Sequence, residues 1–210
     1  NETQLIKIFR GLEWADFINY SEAEESEESR QHLVDSALTI TPDYLDTADP
    51  IFRGISGNDW LFTSYRGHYH ALLKGVPPEW LREQIIKGRS MHPISRNYRF
   101  VSSAIVPGHL PIALGMAVAL QKQGSPDHVW AFCGDMAAET GTFHETTKYA
   151  WRHDLPLTFV VEDNGLSVDT PTEEVWGLKK HYEHSPSGRI LRYYYNNAFP
   201  HQGVGREVGF

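Results

Sequence analysis

Cysteine is almost absent. Cys133 stands alone in 210 residues, which excludes an internal disulfide framework and fits a reducing compartment. Basic residues are also scarce, 19 against 27 acidic ones, for a net charge of −8 at pH 7. A polyanion binder needs clustered Lys and Arg, so no nucleic-acid partner is expected. Long apolar runs are missing too. The longest clean one, Ile112 to Leu120, is far too short to span a bilayer. No signal peptide is recognisable, no membrane partner is expected, and the expected location is the cytoplasm or an organelle matrix. Asn1 stands where a start methionine would, so a natural N-terminus further upstream is left open. No internal repeat is visible, and no Gly-x-Gly-x-x-Gly follows a strand, which puts a Rossmann dehydrogenase last among the candidates.

What is present is a globular composition, 40% hydrophobic and 12% aromatic. The expected layout is an N-terminal helical and acidic extension (1–40), a main domain (41–195) and a Gly-rich tail (196–210). Leu5 to Tyr20 has a loose helical period. The segment from Ser21 to Ser29 carries five glutamates and no lysine, and reads as a solvated face or linker outside any site. Asn1-Glu2-Thr3 and Asn19-Tyr20-Ser21 fit the glycosylation triplet, a pattern common by chance. Ala37 to Phe62 is turn-rich and ends in an apolar stretch from Trp60. Pro77-Pro78 opens a helix that Trp80 to Lys87 continues. Gly88 to Ser103 reads as polar and irregular. Pro111 to Gln123 reads as a helix with small residues along it, stopped by Gly124. Val129–Cys133 and Leu157–Val161 read as buried strands. Between them a helix from about Thr142 to Trp151 puts Phe143, Thr147, Ala150 and Trp151 on one face. Two strands joined by a helix make a right-handed βαβ unit. Ile190 to Tyr195 is a candidate further strand. The expected class is α/β, a parallel sheet flanked by helices.

The chemistry lies at the strand ends. Gly134-Asp135-Met136 follows the first strand and Asp163-Asn164-Gly165 the second. Open parallel sheets bind ligands outside the carboxyl ends of their strands. An Asp carboxylate and an Asn carbonyl are hard oxygen donors suited to Mg²⁺ or Ca²⁺, with a backbone carbonyl as a third. The N–H groups of Gly134, Met136 and Ala137 can face a phosphate at the start of the βα turn. Either motif alone would be an ordinary turn. Together, 26 residues and one helix apart, they outline a site for a metal-bridged diphosphate.

The same residues resemble a known family. Gly134-Asp135-Met136-Ala137, Phe143-His144-Glu145, Leu155-Pro156, Glu162-Asp163-Asn164-Gly165 and Thr170-Pro171 follow in the order seen in the alpha-type subunit of thiamin diphosphate-dependent 2-oxo acid dehydrogenases. Upstream, Tyr65-Arg66-Gly67-His68 is similar to that family's Tyr-Arg-x-His, Ser90-Met91-His92 to its Ser-Met-His, and Pro111 to Ala117 to its helix before the first motif. The resemblance implies that Asp135, the Asn164 side chain and the Leu166 carbonyl hold Mg²⁺. It implies that Gly134, Met136 and Ala137 line the diphosphate and that Tyr65 and Arg66 reach its oxygens, Arg by bidentate pairing. Val106 matches the position that props the bent cofactor, although as a valine it could equally be plain core. His68 and His92 match positions near the cofactor and are the candidates for proton handling or for the substrate carboxylate. His144 reads as structural, and His70 and His109 have no counterpart. His109 lies in Pro107-Gly-His-Leu-Pro111, which resembles a segment of transketolase-like proteins and keeps ketol transfer as an alternative.

Two positions depart from the pattern: Met136 replaces the second Gly of the first motif, and Asp163 the first Asn of the second. The family's later His-Gly-His-Ser loop is not recognisable, so a non-catalytic structural or regulatory relative is the competing reading. In the family a glutamate on a separate pyrimidine-binding domain activates the cofactor. The resemblance therefore implies a subunit that is inactive alone and works in a heterotetramer with a pyrimidine-domain partner on a small 2-oxo acid. Should the chain act unaided, Glu139 and Glu162 are the first candidates for the missing glutamate.

Overall fold

The computed structural model describes residues 50–65, 67–89, 91–167, 170–177 and 189–195. The readings made for the N-terminal extension, the glutamate-rich segment and the tail lie outside these residues, as do Arg66 and Ser90.

The chain forms β1 (Trp60–Ser64), α1 (His68–Leu73), α2 (Pro78–Ile86), β2 (Ile94–Ser95), β3 (Phe100–Ser103) and α3 (His109–Gln123). It continues with β4 (Val129–Gly134), α4 (Asp135–Ala138), α5 (Gly141–Arg152) and β5 (Leu157–Asp163). A small hairpin, β6 (Leu166–Ser167) and β7 (Thr170–Pro171), leads to α6 (Thr172–Trp176), and β8 (Ile190–Tyr194) closes the described part. The main sheet has the order β2-β3-β1-β4-β5-β8. All neighbours are parallel except β2, which runs antiparallel to β3. The sheet is the parallel, helix-flanked one the pattern predicts, with an antiparallel edge. Strand order reverses between β1 and β4, the place where such sheets open a crevice at their carboxyl ends.

Each central strand is buried on both faces, which is why its sequence is a continuous apolar run. Successive side chains alternate between faces. Leu61, Phe132 and Val160 pack toward α1 and α2 with Leu72, Leu81 and Ile85. Phe62, Ala131, Cys133, Phe159 and Val161 pack toward α3 and α5 with Leu110, Ala113, Ala117 and Phe143. Small residues on α3 let it lie close on β4. Gly124 ends α3 at φ 63°, a left-handed value that glycine adopts without a Cβ penalty. Thr140 caps α5 by accepting the Phe143 N–H at 3.3 Å. At the amino edge, buried Asp59 accepts the His128 N–H at 2.9 Å and the Trp130 indole N–H at 3.1 Å, which holds β1 in register with β4.

Some details differ from the sequence reading. The stretch from Gly88 to Ser103, read as irregular, contains β2 and β3. Its strands are short, and the apolar signal of β3 is limited to Phe100 and Val101, too little for a periodicity test. On α5 the inward face is Phe143, Thr146 and Ala150, while Trp151 is exposed. Thr146 satisfies its hydroxyl on the Thr142 carbonyl at 2.8 Å, so it can be buried without a lost hydrogen bond.

His109 starts α3 fully buried, and its Nε2–H donates to the Phe132 carbonyl at 2.7 Å. Burial, reinforced by nearby His70 and opposed by the Phe132 bond and Glu162, pushes its pKa down to about 4. The unfolded chain takes up a proton here near pH 6.5 that the folded chain refuses until about pH 4. Stability is therefore full above pH 6.5 and declines as the pH falls toward 4, by up to about 3 kcal/mol. His109→Gln keeps an N–H donor but cannot charge. Its unfolding free energy should fall less across that window, and equal slopes for both proteins would refute the assignment.

Candidate functional site

The register of β4 on β5 builds the site. Gly134 pairs with Glu162, so the chain leaves both strands at one level of the carboxyl edge. Asp135 follows immediately as the first residue of α4 and is buried. Asp163 closes β5, and Asn164 stands one residue beyond it. Burial raises the Asp135 pKa above the ordinary carboxylate value; the Asp163 charge adds to this, and the Thr172 hydroxyl and the Asp135 and Met136 amides oppose it. Thr172 Oγ1–H donates to Asp135 Oδ2.

Beyond β5 two consecutive side chains tie down the turn. Asp163 Oδ1 accepts the Gly165 N–H at 3.0 Å and Asn164 Oδ1 accepts the Leu166 N–H at 3.1 Å. Gly165 has φ 70°, which a residue with a side chain would adopt only under strain. A Cβ added to Gly134 would meet nothing within 4 Å, so protein packing does not require glycine there and open space is left over the start of α4.

Asp163 departs from the family motif by placing a carboxylate where an Asn is expected. The structure turns it toward β8, where Arg192 donates to Asp163 Oδ2 at 2.7 Å and lies 3.7 Å from Glu139 Oε1. One guanidinium thus serves two buried carboxylates. On the opposite face of the sheet, His70 Nε2 is 3.1 Å from Glu162 Oε1, Tyr193 O–H donates to the same oxygen, and His70 Nδ1 is 3.4 Å from Thr63 Oγ1. Glu139 and Glu162 are therefore both engaged in ion pairs or hydrogen bonds. Arg192, His70, Tyr193 and Thr172 were missed as members of the site's surroundings. For Arg192 and Tyr193 the available signal was a charged or hydroxyl group within a strand-like apolar run, which points to a buried partner but does not name it; His70 in α1 and Thr172 at the start of α6 carried no such signal.

The other expected residues are spread along the carboxyl edge. Tyr65 leaves β1 part-buried, and His68 is buried at the start of α1. Met136 is part-buried, and its sulfur accepts the Trp176 indole N–H at 3.0 Å; Ala137 is buried, and Leu166 opens β6 part-buried. Val106 is 43% exposed in the loop after β3, so it is not a core valine. His92 is exposed just before β2, with β3 and β1 between it and β4. That separation is about 14 Å at about 4.8 Å per strand, so the fold does not gather His92 with Asp135 and Asn164. Among the described residues no group of three or more His, Cys, Asp or Glu side chains could hold a metal ion. The expected donor set, one carboxylate, one amide and one backbone carbonyl, is of another kind, and its hard oxygens suit Mg²⁺.

The model of the dehydrogenase E1 component family matches residues 51–191. The chain belongs to this family. Among its curated relatives is the alpha subunit of acetoin:2,6-dichlorophenolindophenol oxidoreductase from Cupriavidus necator, 31% identical over 57% of this chain and 39% of that one. Another is the alpha subunit of the pyruvate dehydrogenase E1 component from Rickettsia bellii, 28% identical over 66% and 45%. A third is the chloroplastic pyruvate dehydrogenase E1 component subunit alpha-3 of rice, 34% identical over 50% and 29%. The chain thus spans less than half the length of these relatives. A solved thiamin diphosphate-dependent enzyme from Mycobacterium smegmatis overlaps 66% of the chain at 17% identity with a TM-score of 0.38, too low a score to add to the family assignment.

Within this E1-family chain, Asp163 is tolerated because Arg192 meets its charge. Removing one partner of a buried pair costs more than the pair itself contributes. Arg192→Met should lower unfolding free energy by about 2–4 kcal/mol in urea titrations. Adding Asp163→Asn to that variant should restore part of the loss by removing one of the two carboxylates. An unchanged midpoint in Arg192→Met would show that the guanidinium is idle.

Proposed function

We propose that this E1-family chain is the diphosphate-binding subunit of a thiamin diphosphate- and Mg²⁺-dependent enzyme. The enzyme would decarboxylate a 2-oxo acid and pass the remaining fragment to an acceptor. The observation that carries this reading is the placement of Asp135 and Asn164 beyond the ends of two register-locked parallel strands, beside the open space over Gly134. Asp135, the Asn164 side chain and the Leu166 carbonyl would hold Mg²⁺. Gly134, Met136 and Ala137 would line the diphosphate, with Tyr65 and Arg66 on its oxygens. When bound, the cofactor supplies a carbon nucleophile for the 2-oxo acid carbonyl and a sink for the electron pair released with CO₂. This chain's contribution is to orient the diphosphate and to answer its charge. Buried His68 is the nearer candidate for proton handling, and exposed His92 would act only on a substrate that reaches the outer edge.

The reading includes a pyrimidine-domain partner and a heterotetramer. Its support is apolar surface along the carboxyl edge: Ile105, Val106 and Ile112 are 74%, 43% and 56% exposed. The proposed compartment is the cytoplasm or an organelle matrix, where a lone cysteine is ordinary. One observation favours the non-catalytic alternative. Met136 stands where the family motif has glycine and is engaged by Trp176, which adds bulk beside the proposed diphosphate.

Calorimetry with thiamin diphosphate and Mg²⁺ separates these readings. The wild-type chain with its co-purifying partner should bind, and Asp135→Ala should abolish binding with an unchanged circular dichroism spectrum. Unaltered affinity in that variant would remove the proposed site. Arg66→Ala should weaken binding by about 1.5–3 kcal/mol, the range of a charge-assisted hydrogen bond. A loss of stability alone, at normal affinity, would return Arg66 to an ordinary surface role. The chain purified without a partner should not decarboxylate 2-oxo acids.

A further inference from the structure

We propose that Thr172 is a positioning residue that joins the two halves of the site and holds the Asp135 carboxylate in the orientation needed for a divalent cation. The proposal rests on the metal–diphosphate reading given above. Thr172 is 4% exposed, unusual for a hydroxyl residue at the start of a short surface helix. It can be buried because its hydroxyl and its backbone N–H are both used between the two motifs. Its hydroxyl donates to Asp135 Oδ2, in the first motif, and its backbone N–H donates to the Gly165 carbonyl at 3.0 Å, in the second. The chain is brought back to this point by the β6–β7 hairpin, in which Leu166 pairs with Pro171.

The rest of α6 supports the same contact. Residues four apart lie on one face of a helix. Trp176, four residues after Thr172, donates its indole N–H to the sulfur of Met136 at 3.0 Å. One face of α6 therefore touches two consecutive residues of the first motif. A buried carboxylate that accepts a fixed hydroxyl donor has its rotation set before a cation arrives. Losing an outer-shell partner of this kind typically costs 10–100-fold in metal affinity.

The test uses the full chain, with its partner where one co-purifies. Mn²⁺ is titrated in the presence of thiamin diphosphate, with free Mn²⁺ read by electron paramagnetic resonance. Thr172→Val should bind Mn²⁺ at least about tenfold more weakly. Thr172→Ser, which keeps the hydroxyl, should stay within about threefold of wild type, on the wild-type side of that range. Thr172→Ala serves as a second variant should Val disturb packing, and its metal-free melting temperature reports whether the fold is retained. Wild-type affinity in folded Thr172→Val or Thr172→Ala, or an equal loss in Thr172→Ser, overturns the proposal. Asp135→Ala in the same titration separates the two levels. Wild-type affinity there defeats the site itself, whereas abolished binding there with normal binding in Thr172→Val defeats only the role of Thr172.

Discussion

The parallel pairing of β4 with β5 is the constraint on which the rest depends. It runs without interruption from Val129 opposite Leu157 to Gly134 opposite Glu162. Both strands are covered on both faces, so a slip of one residue would exchange every side chain between two packed cores. If β5 slipped, Val160 would move to the α3 face and Phe159 and Val161 to the α1 face. Because the register cannot drift, the two turns leave the sheet at one level. Asp135 and Asn164 therefore emerge at one edge of the sheet although far apart in the chain.

The same alternation organises the charges under the edge. Glu162 and Tyr193 are register partners and face His70. Asp163 and Arg192 face the other way, toward Glu139 and α5. The carboxyl end of β5 is therefore held on both faces by buried polar contacts that reach β8 on each side. Such contacts add little net stability, because desolvation offsets much of the attraction. Their effect is on geometry: with few alternative partners inside the fold, each buried charge has few places to go. Burial together with the Asp163 charge also holds the Asp135 pKa above the ordinary carboxylate value, against the pull of the Thr172 hydroxyl and two backbone amides.

Membership of the dehydrogenase E1 component family accounts for the order of the motifs, and the structure accounts for the two departures from them. Asp163 in place of Asn brings its own cation in Arg192. Met136 in place of Gly brings a contact with Trp176, so the extra bulk is packed by α6 and not left loose. The chain spans 39% of the Cupriavidus relative and 45% of the Rickettsia one.

Much of the fold was legible from local pattern. The continuous apolar runs of β4 and β5, the stop at Gly124 and the helical spacing around Phe143 all act within a few residues. They predict the parallel sheet, the crossover helix and the edge where Asp135 and Asn164 emerge. What escaped was short or non-local. β3 carries too few apolar residues to show a period, and Trp151 looked like a core residue until Thr146 took the inward place. Pairings such as Thr172 with Asp135, Arg192 with Asp163 and His70 with Glu162 join residues 37, 29 and 92 positions apart. Residue types alone determined that these groups would need partners, because a buried charge or hydroxyl without one is costly. Which partner each received was decided by the sheet order and register, which bring distant strand ends within hydrogen-bond reach.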